Sequence, residues 1–476
     1  MSQTANKMAE IMVVSTMEAL VPEDHLVRKL DRYVDWNFIY DITRPLYSDK
    51  GRNWTDPVVL FKMMFINKIF GINSMRKTCE EVKVNVAYRW FVNLGFDEKV
   101  PDHSTFSQNY RRKYKAANVC EQIFLHVLSQ LYEQKLIDVK EVFFDGTHIK
   151  AKANKNKYTK EELKSAVRQY QAELDEDITE DREAHGKKAL KEGAPKEQRK
   201  NTKISKSDPE SGLFHKGEKE RCFAYSANTA CDKHGYILGT EVVAGNIHDS
   251  QSFYGIYEQM NKLFYNDIKY VVADAGYITP HICKMIFEHG QLPILPYKRP
   301  MTRDGYYKKN DYVYDEENDC YLCPDIKVLK YTTTTREGYR EYKSNPEDCK
   351  RCPLRKHCTE SKNQQKVVTR HIWEDYREEA VDHIRQTDTW KAIYPKRKET
   401  IERVFADGKS KHGMGFTRYT GRKRVTDDVL LLFASMNMKK MVTYLDKTGA
   451  LPSYTEEYIQ RNLNIIGFQL YLSNLY

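Results

Sequence analysis

Apolar residues recur at three- and four-residue spacing through LVRKLDRYVDW, DPVVLFKMMFINKIF, SMRKTCEEVKVNVAYRWFVNL and STFSQNYRRKYKAANVCEQIFLHVLSQLYEQ, which predicts helices over most of residues 20 to 135. Thr55 with Asp56 and Ser104 with Thr105 stand where helix caps belong, since their oxygens can accept from the first free backbone amides. From Val139 the pattern changes. VKEVFFDGTHIKA, CFAYSANTACD, YILGTEVVAG and IKYVVADAGY read as strands, and SQSFYGIYEQMNKLF and TPHICKMIFEHG as helices before LPILPYK. Strands in succession, then alternating with helices, predict a mixed α/β sheet after an all-α N-terminal unit.

Two stretches interrupt that sheet. Residues 151 to 220 hold 17 basic and 15 acidic side chains with few aromatics, the pattern of a solvated helical or partly disordered excursion. Residues from about 300 to 371 carry strand-like pieces, KVLKYTTTT and YREYKS, among cysteines. A long helical pattern follows over residues 374 to 407, and TDDVLLLFASMNMKKMVTYL supplies a strongly apolar helix.

The chain has 476 residues, 40% hydrophobic and 30% charged, enough for several packed units. No window approaches the roughly 18 uninterrupted apolar residues of a membrane span. The start, MSQTANKMAEIMVV, lacks the basic and apolar regions of an export signal, so a cytoplasmic protein with no membrane partner is expected. The net charge of +10 matters less than its placement: residues 391 to 424 carry eleven basic side chains against three acidic ones. Such a concentration binds phosphate backbones through counterion release, which makes nucleic acid the leading partner. Arg111, Arg112, Lys113 and Lys115 form a second basic cluster among short helices that could include a helix-turn-helix.

Ten cysteines in such a chain are expected as reduced thiols, and five of them crowd one region. Cys323, Cys349, Cys352 and Cys358, with Cys320 and His357 as possible substitutes, have the spacing of a closed tetrahedral zinc site. A structural Zn2+ would stabilise a module with little apolar surface of its own.

The carboxylates that look chemical are Asp145, taken to end an apolar strand before Gly146, and Asp274, which closes YVVAD before Ala275 and Gly276. Two acids at strand ends can converge on a hard cation, because octahedral magnesium takes carboxylate and water oxygens. Glu402 offers a third acid on a basic helical pattern in which Tyr394, Lys398 and Glu402 recur every fourth residue and so share a face, with Lys409 about two turns on. Two metals held by such acids can clamp the attacking and leaving oxygens of a phosphoryl displacement while cations hold the nucleic-acid backbone.

With these motifs the sequence resembles bacterial insertion-sequence transposases of the DDE type. The resemblance runs from VPEDHLVRKLDRYVDW and PDHSTFSQNYRRKY, through FFDGTHIKA, NIHDS and VVADAGY, to RKETIERVFADGKSKHGMGFTRY and SMNMKKM; the CKRCPLRKHC module is similar to one subgroup. It implies an α/β catalytic core of ribonuclease-H-like type with an all-α N-terminal domain and a cysteine-rich, zinc-binding insertion. It also implies Asp145, Asp274 and Glu402 as catalytic acids on Mg2+ or Mn2+, and DNA contacts from Tyr394, Arg397, Lys398, Lys409, Arg111 and Arg112. Relatives space Tyr, Arg, Glu and Lys by two, three and six intervening residues. Here Arg397 has four residues between itself and Glu402, and the three-residue gap belongs to Lys398. His248 and Asp249 in NIHDS look like an auxiliary motif or a polar helix cap, and Asp249 is not expected as the third metal ligand.

The implied organisation is a helical DNA-binding domain over residues 1–136 and a first catalytic part over 137–299 with the charged insertion 151–220. The cysteine-rich insertion over 300–372, catalytic helices over 373–446 and a tail over 447–476 follow. The implied activity is cleavage at the terminal inverted repeats of an insertion sequence and strand transfer into target DNA, by a homodimer or larger synaptic complex in the bacterial cytoplasm at the nucleoid. The alternatives are a structure-specific nuclease with the same metal site and an inactive DNA-binding relic.

Overall fold

The structure, a computed structural model, describes residues 15–48, 54–72, 74–164, 170–190, 199–216, 220–264, 267–299 and 302–449. The expected tail over 447–476 therefore lies almost wholly outside the described residues.

The N-terminal periodicity folds as predicted into short helices. Three carry its core: α1 (Leu26–Tyr33), α2 (Pro57–Ile69) and α3 (Val119–Glu133). Asp56 caps α2 by accepting from Val58 N at 2.7 Å, and Pro57 at the first helical position has no amide to leave unpaired. Asp102, rather than Ser104, caps the short helix at His103. The long pattern from Ser104 to Glu133 is divided at Asn118, whose φ of 50° turns the chain before α3.

The central sheet is built from β1 (Glu141–Lys150), β2 (Glu220–Asp232), β3 (Ile237–Ala244), β4 (Tyr270–Val272) and β5 (Leu292–Ile294). Its order is β3-β2-β1-β4-β5: the first three strands are antiparallel, and β4 and β5 run parallel to β1 and to each other. A short strand, Gly212–Lys216, also pairs with the start of β2. The parallel crossovers run through α5 (Asp249–Phe264) and α6 (Pro280–Glu288), while α4 (Gln171–Ala184) belongs to the charged stretch. Phe144 of β1 meets Phe253 and Tyr257 of α5 at ring distances of 5.1 and 6.2 Å, which fixes the sheet face that α5 covers.

The stretch over 151–220 is more structured than its composition suggested. Leu174 and Ile178 of α4 are buried with Trp373, and buried Asp181 accepts from Arg340 Nε at 2.7 Å. A charged helix can still enter a core when a narrow apolar stripe faces inward and its acids are paired.

The insertion forms its own antiparallel sheet from β6 (Val313–Asp315), β7 (Cys320–Leu322), β8 (Val328–Thr334), β9 (Tyr339–Ser344) and β10 (Val367–His371), in sequential order. Its buried core is small: Tyr312, Tyr321, Leu329, Tyr342 and Val368.

The helical pattern over 374–407 is not one helix. It passes through short helical turns, a 3₁₀ segment Tyr394–Lys398 with Pro395 inside it, and a break at Thr400 (φ −105°, ψ −101°) before α7 (Ile401–Lys411) begins. Proline removes one amide and Thr400 abandons helical dihedrals, so the ladder cannot run through. Last comes α8 (Arg422–Thr448), nearly apolar all round in its middle and buried between the sheet and the N-terminal helices. Tyr110 donates to Asp427 at 2.5 Å, and Asn437 spans the other side by accepting from Ile237 N at 2.9 Å and donating to Ile237 O at 2.8 Å. A single hydrophobic core therefore runs from the N-terminal helices through α8 into the sheet.

Candidate active site

Asp145 is not at a strand end. β1 stays paired with β2 from Val142 to Lys150, with Asp145 opposite Thr229 and Gly146 opposite Asn228. A neighbouring strand that supplies ladder partners throughout overrides the turn preference of Asp-Gly. On the other edge, β1 and β4 are in parallel register at Phe143 and Val272. Two residues further along each chain come Asp145 and Asp274, at matching height where β4 has just ended. Asp274 caps the 3₁₀ turn Ala275–Tyr277 by accepting from Gly276 N at 2.7 Å.

Arg397 reaches this pair from the 3₁₀ segment. It is 6% exposed and donates from Nη2 to Asp145 Oδ2 at 2.9 Å, while Gly146 N donates to Oδ1 at 2.8 Å. Burial pushes the Asp145 carboxyl up to about 6; Arg397 opposes that rise, and Asp274 and Asp249 add to it. Asp249 is raised too, chiefly by burial and then by Asp274. Lys396, next to Arg397, pairs with Glu141 at 2.8 Å.

The spacing argument placed Tyr394, Lys398 and Glu402 on one face, and the break at Thr400 removes the basis for that. Arg397 turns inward to Asp145, whereas Lys398 is exposed. The extra residue between Arg397 and Glu402 is accommodated where the backbone leaves the helix. Tyr394 stacks on Trp390 at 4.7 Å, with the Arg397 guanidinium 5.9 Å from its ring. Glu402 lies exposed on the first turn of α7 and makes no hydrogen bond or ion pair with Asp145 or Asp274 among the described residues. Lys409 is exposed further along α7, and Arg111 and Arg112 are exposed on the turn Tyr110–Tyr114.

The NIHDS motif divides its labour. His248 caps α5, accepting from Ser250 N at 3.2 Å through Nδ1. Asp249 is left with a carboxylate that accepts no hydrogen bond among the described residues and faces the aspartate pair. Sequence reasoning set Asp249 aside and missed Asn228 altogether. The available signal was a polar side chain at an inward position of the strand CFAYSANTACD.

In the insertion, Cys323, Cys349, Cys352 and Cys358 all line one enclosed space of about 20 Å³. Lys327 N donates to Cys323 Sγ at 3.3 Å, Cys349 Sγ donates to Ser344 Oγ at 3.0 Å, and Tyr312 OH meets Cys358 Sγ at 3.1 Å. The possible substitutes lie elsewhere: Cys320 is buried in β7, and His357 Nδ1 bonds to Gly305 O at 2.9 Å. Among the described residues no three His, Cys, Asp or Glu side chains already converge at metal-binding geometry, in either place. No described helix is long and apolar enough to cross a membrane.

An α/β sheet that sets two aspartates side by side next to a buried arginine suits phosphoryl-transfer chemistry, and the family comparisons name the class. Residues 15–112 match a family described as a transposase domain (DUF772), and residues 322–442 match the family described as a transposase DDE domain. The chain is a DNA transposase of the DDE type, a polynucleotidyl transferase. The second match contains Glu402 and the four cysteines, while Asp145 and Asp274 fall outside both matches. No curated protein matches the sequence. Among solved structures, a piggyBac transposase synaptic complex with hairpin DNA is 8% identical with a TM-score of 0.34, over 92% of this chain and 77% of that one. No inference rests on so distant a likeness.

Proposed function

We propose that Asp145, Asp274 and Glu402 are the catalytic acids of a ribonuclease-H-like core that cuts and joins the ends of an insertion sequence. The observation that carries this is the parallel register of β1 and β4, which sets Asp145 and Asp274 at one level of the sheet. The strand order β3-β2-β1-β4-β5, antiparallel and then parallel, supports the ribonuclease-H-like assignment. The donor set fits a hard divalent cation, magnesium or manganese, since it consists of carboxylates beside a buried polar wall. Such an ion, when bound, supplies charge that activates water and then a 3′-hydroxyl for attack on phosphorus. The protein's own part is to hold the carboxylates in place and, through Arg397, to keep Asp145 ionised despite its burial.

Glu402 joins the site from α7, the helix that follows the Arg397 turn; its exposure suits a group that closes only over bound DNA. Lys398 and Lys409 on the same segment, and Arg111 and Arg112 at the N-terminal domain, contact phosphates, and Tyr394 supports Arg397. The four cysteines hold one structural Zn2+: their thiols share one small space, and a backbone amide already points at Cys323 Sγ. The units are a helical domain over 1–136, the catalytic core over 137–299 and 373–446, and the zinc-binding insertion over 300–372. The partners are the terminal inverted repeats and target DNA. Joining two ends calls for a homodimer or larger synaptic complex, acting in the bacterial cytoplasm at the nucleoid.

The test is cleavage and strand transfer on DNA carrying the repeats that bracket the reading frame, with and without magnesium. Joining of the cut end to a second duplex, lost in Asp145→Asn, Asp274→Asn and Glu402→Gln, is the expected result. Cleavage without joining would make the protein a nuclease, and binding without cleavage a relic.

A further inference from the structure

Asp249 stands at the first position of α5, directly above the two aspartates, and its two oxygens point to different glycines. A Cβ built on Gly146, the residue after Asp145, would lie 3.0 Å from Asp249 Oδ1. A Cβ on Gly276 would lie 3.8 Å from Asp249 Oδ2 and 3.0 Å from Asp274 Oδ1. One carboxylate thus spans the gap between the segments that carry Asp145 and Asp274, and both glycines leave the space beside it open.

Acidic residues that merely crowd together prove nothing, because a helix N-terminus favours an acid in its first turn. The wall of this space is what points to a ligand. Asn228, opposite Gly146 on β2, sends Oδ1 to 3.0 Å from the same Gly146 Cβ position, and Ser226 Oγ lies 3.5 Å from it. Asn228 is 1% exposed and Ser226 0%, yet neither atom of the carboxamide, nor the hydroxyl, has a hydrogen-bond partner among the described residues. A buried polar group left unpaired costs roughly 1–3 kcal/mol, so such groups are normally satisfied by something. Carboxylate, carboxamide and hydroxyl oxygens together are the donor chemistry of a hard cation.

We propose that Asp249, with the Asn228 carboxamide, is a ligand of the divalent-cation centre that Asp145 and Asp274 form, a donor set additional to the three acids of the family pattern. The inference rests on the metal-dependent reading of that site. It assigns to α5 the task of delivering a carboxylate from the sheet face opposite to Arg397, with closure by rotation of short side chains rather than movement of the backbone.

Mn2+ binding to the full chain without DNA, followed by loss of the free-ion electron paramagnetic resonance signal, reads the site without using activity. Asp145→Asn and Asp249→Asn should each weaken Mn2+ binding by about tenfold or more, at least the loss seen when the supporting partners of metal ligands are removed. Asn228→Leu should weaken it as well, and Asn228→Asp should restore or tighten it by returning an oxygen donor. Gly146→Ala leaves every ligand in place but sets a methyl group between Asp249 and Asn228, so it too should lower the affinity; this keeps the test sharp if Asp249→Asn folds poorly.

If Asp145→Asn binds Mn2+ like the parent, the metal-centre reading falls and this inference with it. If Asp145→Asn loses affinity while Asp249→Asn and Gly146→Ala keep it, the metal centre stands and Asp249 is only a helix-terminal acid. If Asn228→Leu alone is silent and Glu241→Gln lowers the melting temperature instead, Asn228 serves its register partner Glu241 and the carboxamide is not a ligand.

Discussion

The aspartate site and the cysteine module solve opposite problems. The aspartates sit in a sheet whose core continues through α8 into the N-terminal helices, so that scaffold is held whether or not a cation is present. The cysteine module rests on a cluster of five buried residues, three of them tyrosines, around four thiols. One region has a fold that can tolerate unpartnered polar atoms such as those of Asn228. The other has so little apolar surface that its ligands must also supply its stability. A metal is therefore functional in the first place and architectural in the second.

The largest effect that would break this contrast is zinc removal. The protein should contain about one zinc per chain under reducing conditions, and its loss should remove on the order of 10 kcal/mol of binding energy from the insertion. Limited proteolysis should then open the insertion while the α8 and sheet fragments persist; loss of the whole fold at once would show that the two regions are not independent. Next in size, Asp145→Ala or Asp274→Ala should lower cleavage by at least about a thousandfold while DNA binding and melting temperature stay near the parent, since phosphate contacts lie on other residues. A matching loss of binding would mean the aspartates hold structure, as the cysteines do.

Arg397→Ala tests a smaller term. It strands Asp145 without its cation and should cost about 3 kcal/mol of stability, as breaking one half of a buried pair does. The double change with Asp145→Asn should recover most of that loss, and thermal melts of the four-member cycle would show the coupling.

The pH dependence is smaller still. Burial, resisted by Arg397 and aided by Asp274, holds the Asp145 carboxyl up at about 6, above its value in the unfolded chain. The folded state therefore keeps a proton that the unfolded state gives up, and stability of the cation-free protein should fall as pH rises from the ordinary carboxylate range through about 6. Denaturation curves across that window should show the fall, and Asp145→Asn should flatten it. Last, Lys398→Ala and Lys409→Ala should each lower the salt slope of DNA binding by roughly one unit, for specific and random DNA alike. A slope that does not change would take those side chains off the DNA.

Much of this was legible in the chain. The periodicities of DPVVLFKMMFINKIF and SQSFYGIYEQMNKLF are local, and they became the helices Pro57–Ile69 and Asp249–Phe264. The strands around Asp145 and Asp274 were marked by their β-branched runs, and the cysteine spacing singled out the four thiols that share a space while leaving Cys320 and His357 as alternatives. Less legible was the segment around Arg397. Its spacing reads as one helix only if Pro395 and Thr400 are ignored, and helical phase is meaningless across a break. The charged stretch misled for another reason: Leu174, Ile178 and Asp181 are three positions among seventy, and composition averages over them.

What the sequence determined by itself are the quantities set within a few residues: helix faces, caps, strand runs, thiol spacing and the acids that end or fill apolar strands. What only the tertiary structure decided are relations across the fold. That Asp145 and Asp274 stand level depends on the register between strands more than a hundred residues apart. That Arg397 rather than Lys398 turns inward depends on where the backbone breaks at Thr400. That Asp249 and Asn228 face the same space depends on α5 packing over β1 and β2. The reason is physical: local patterns follow from backbone geometry and solvent, which each residue meets alone, whereas register and facing are set by packing, to which no single segment holds the key.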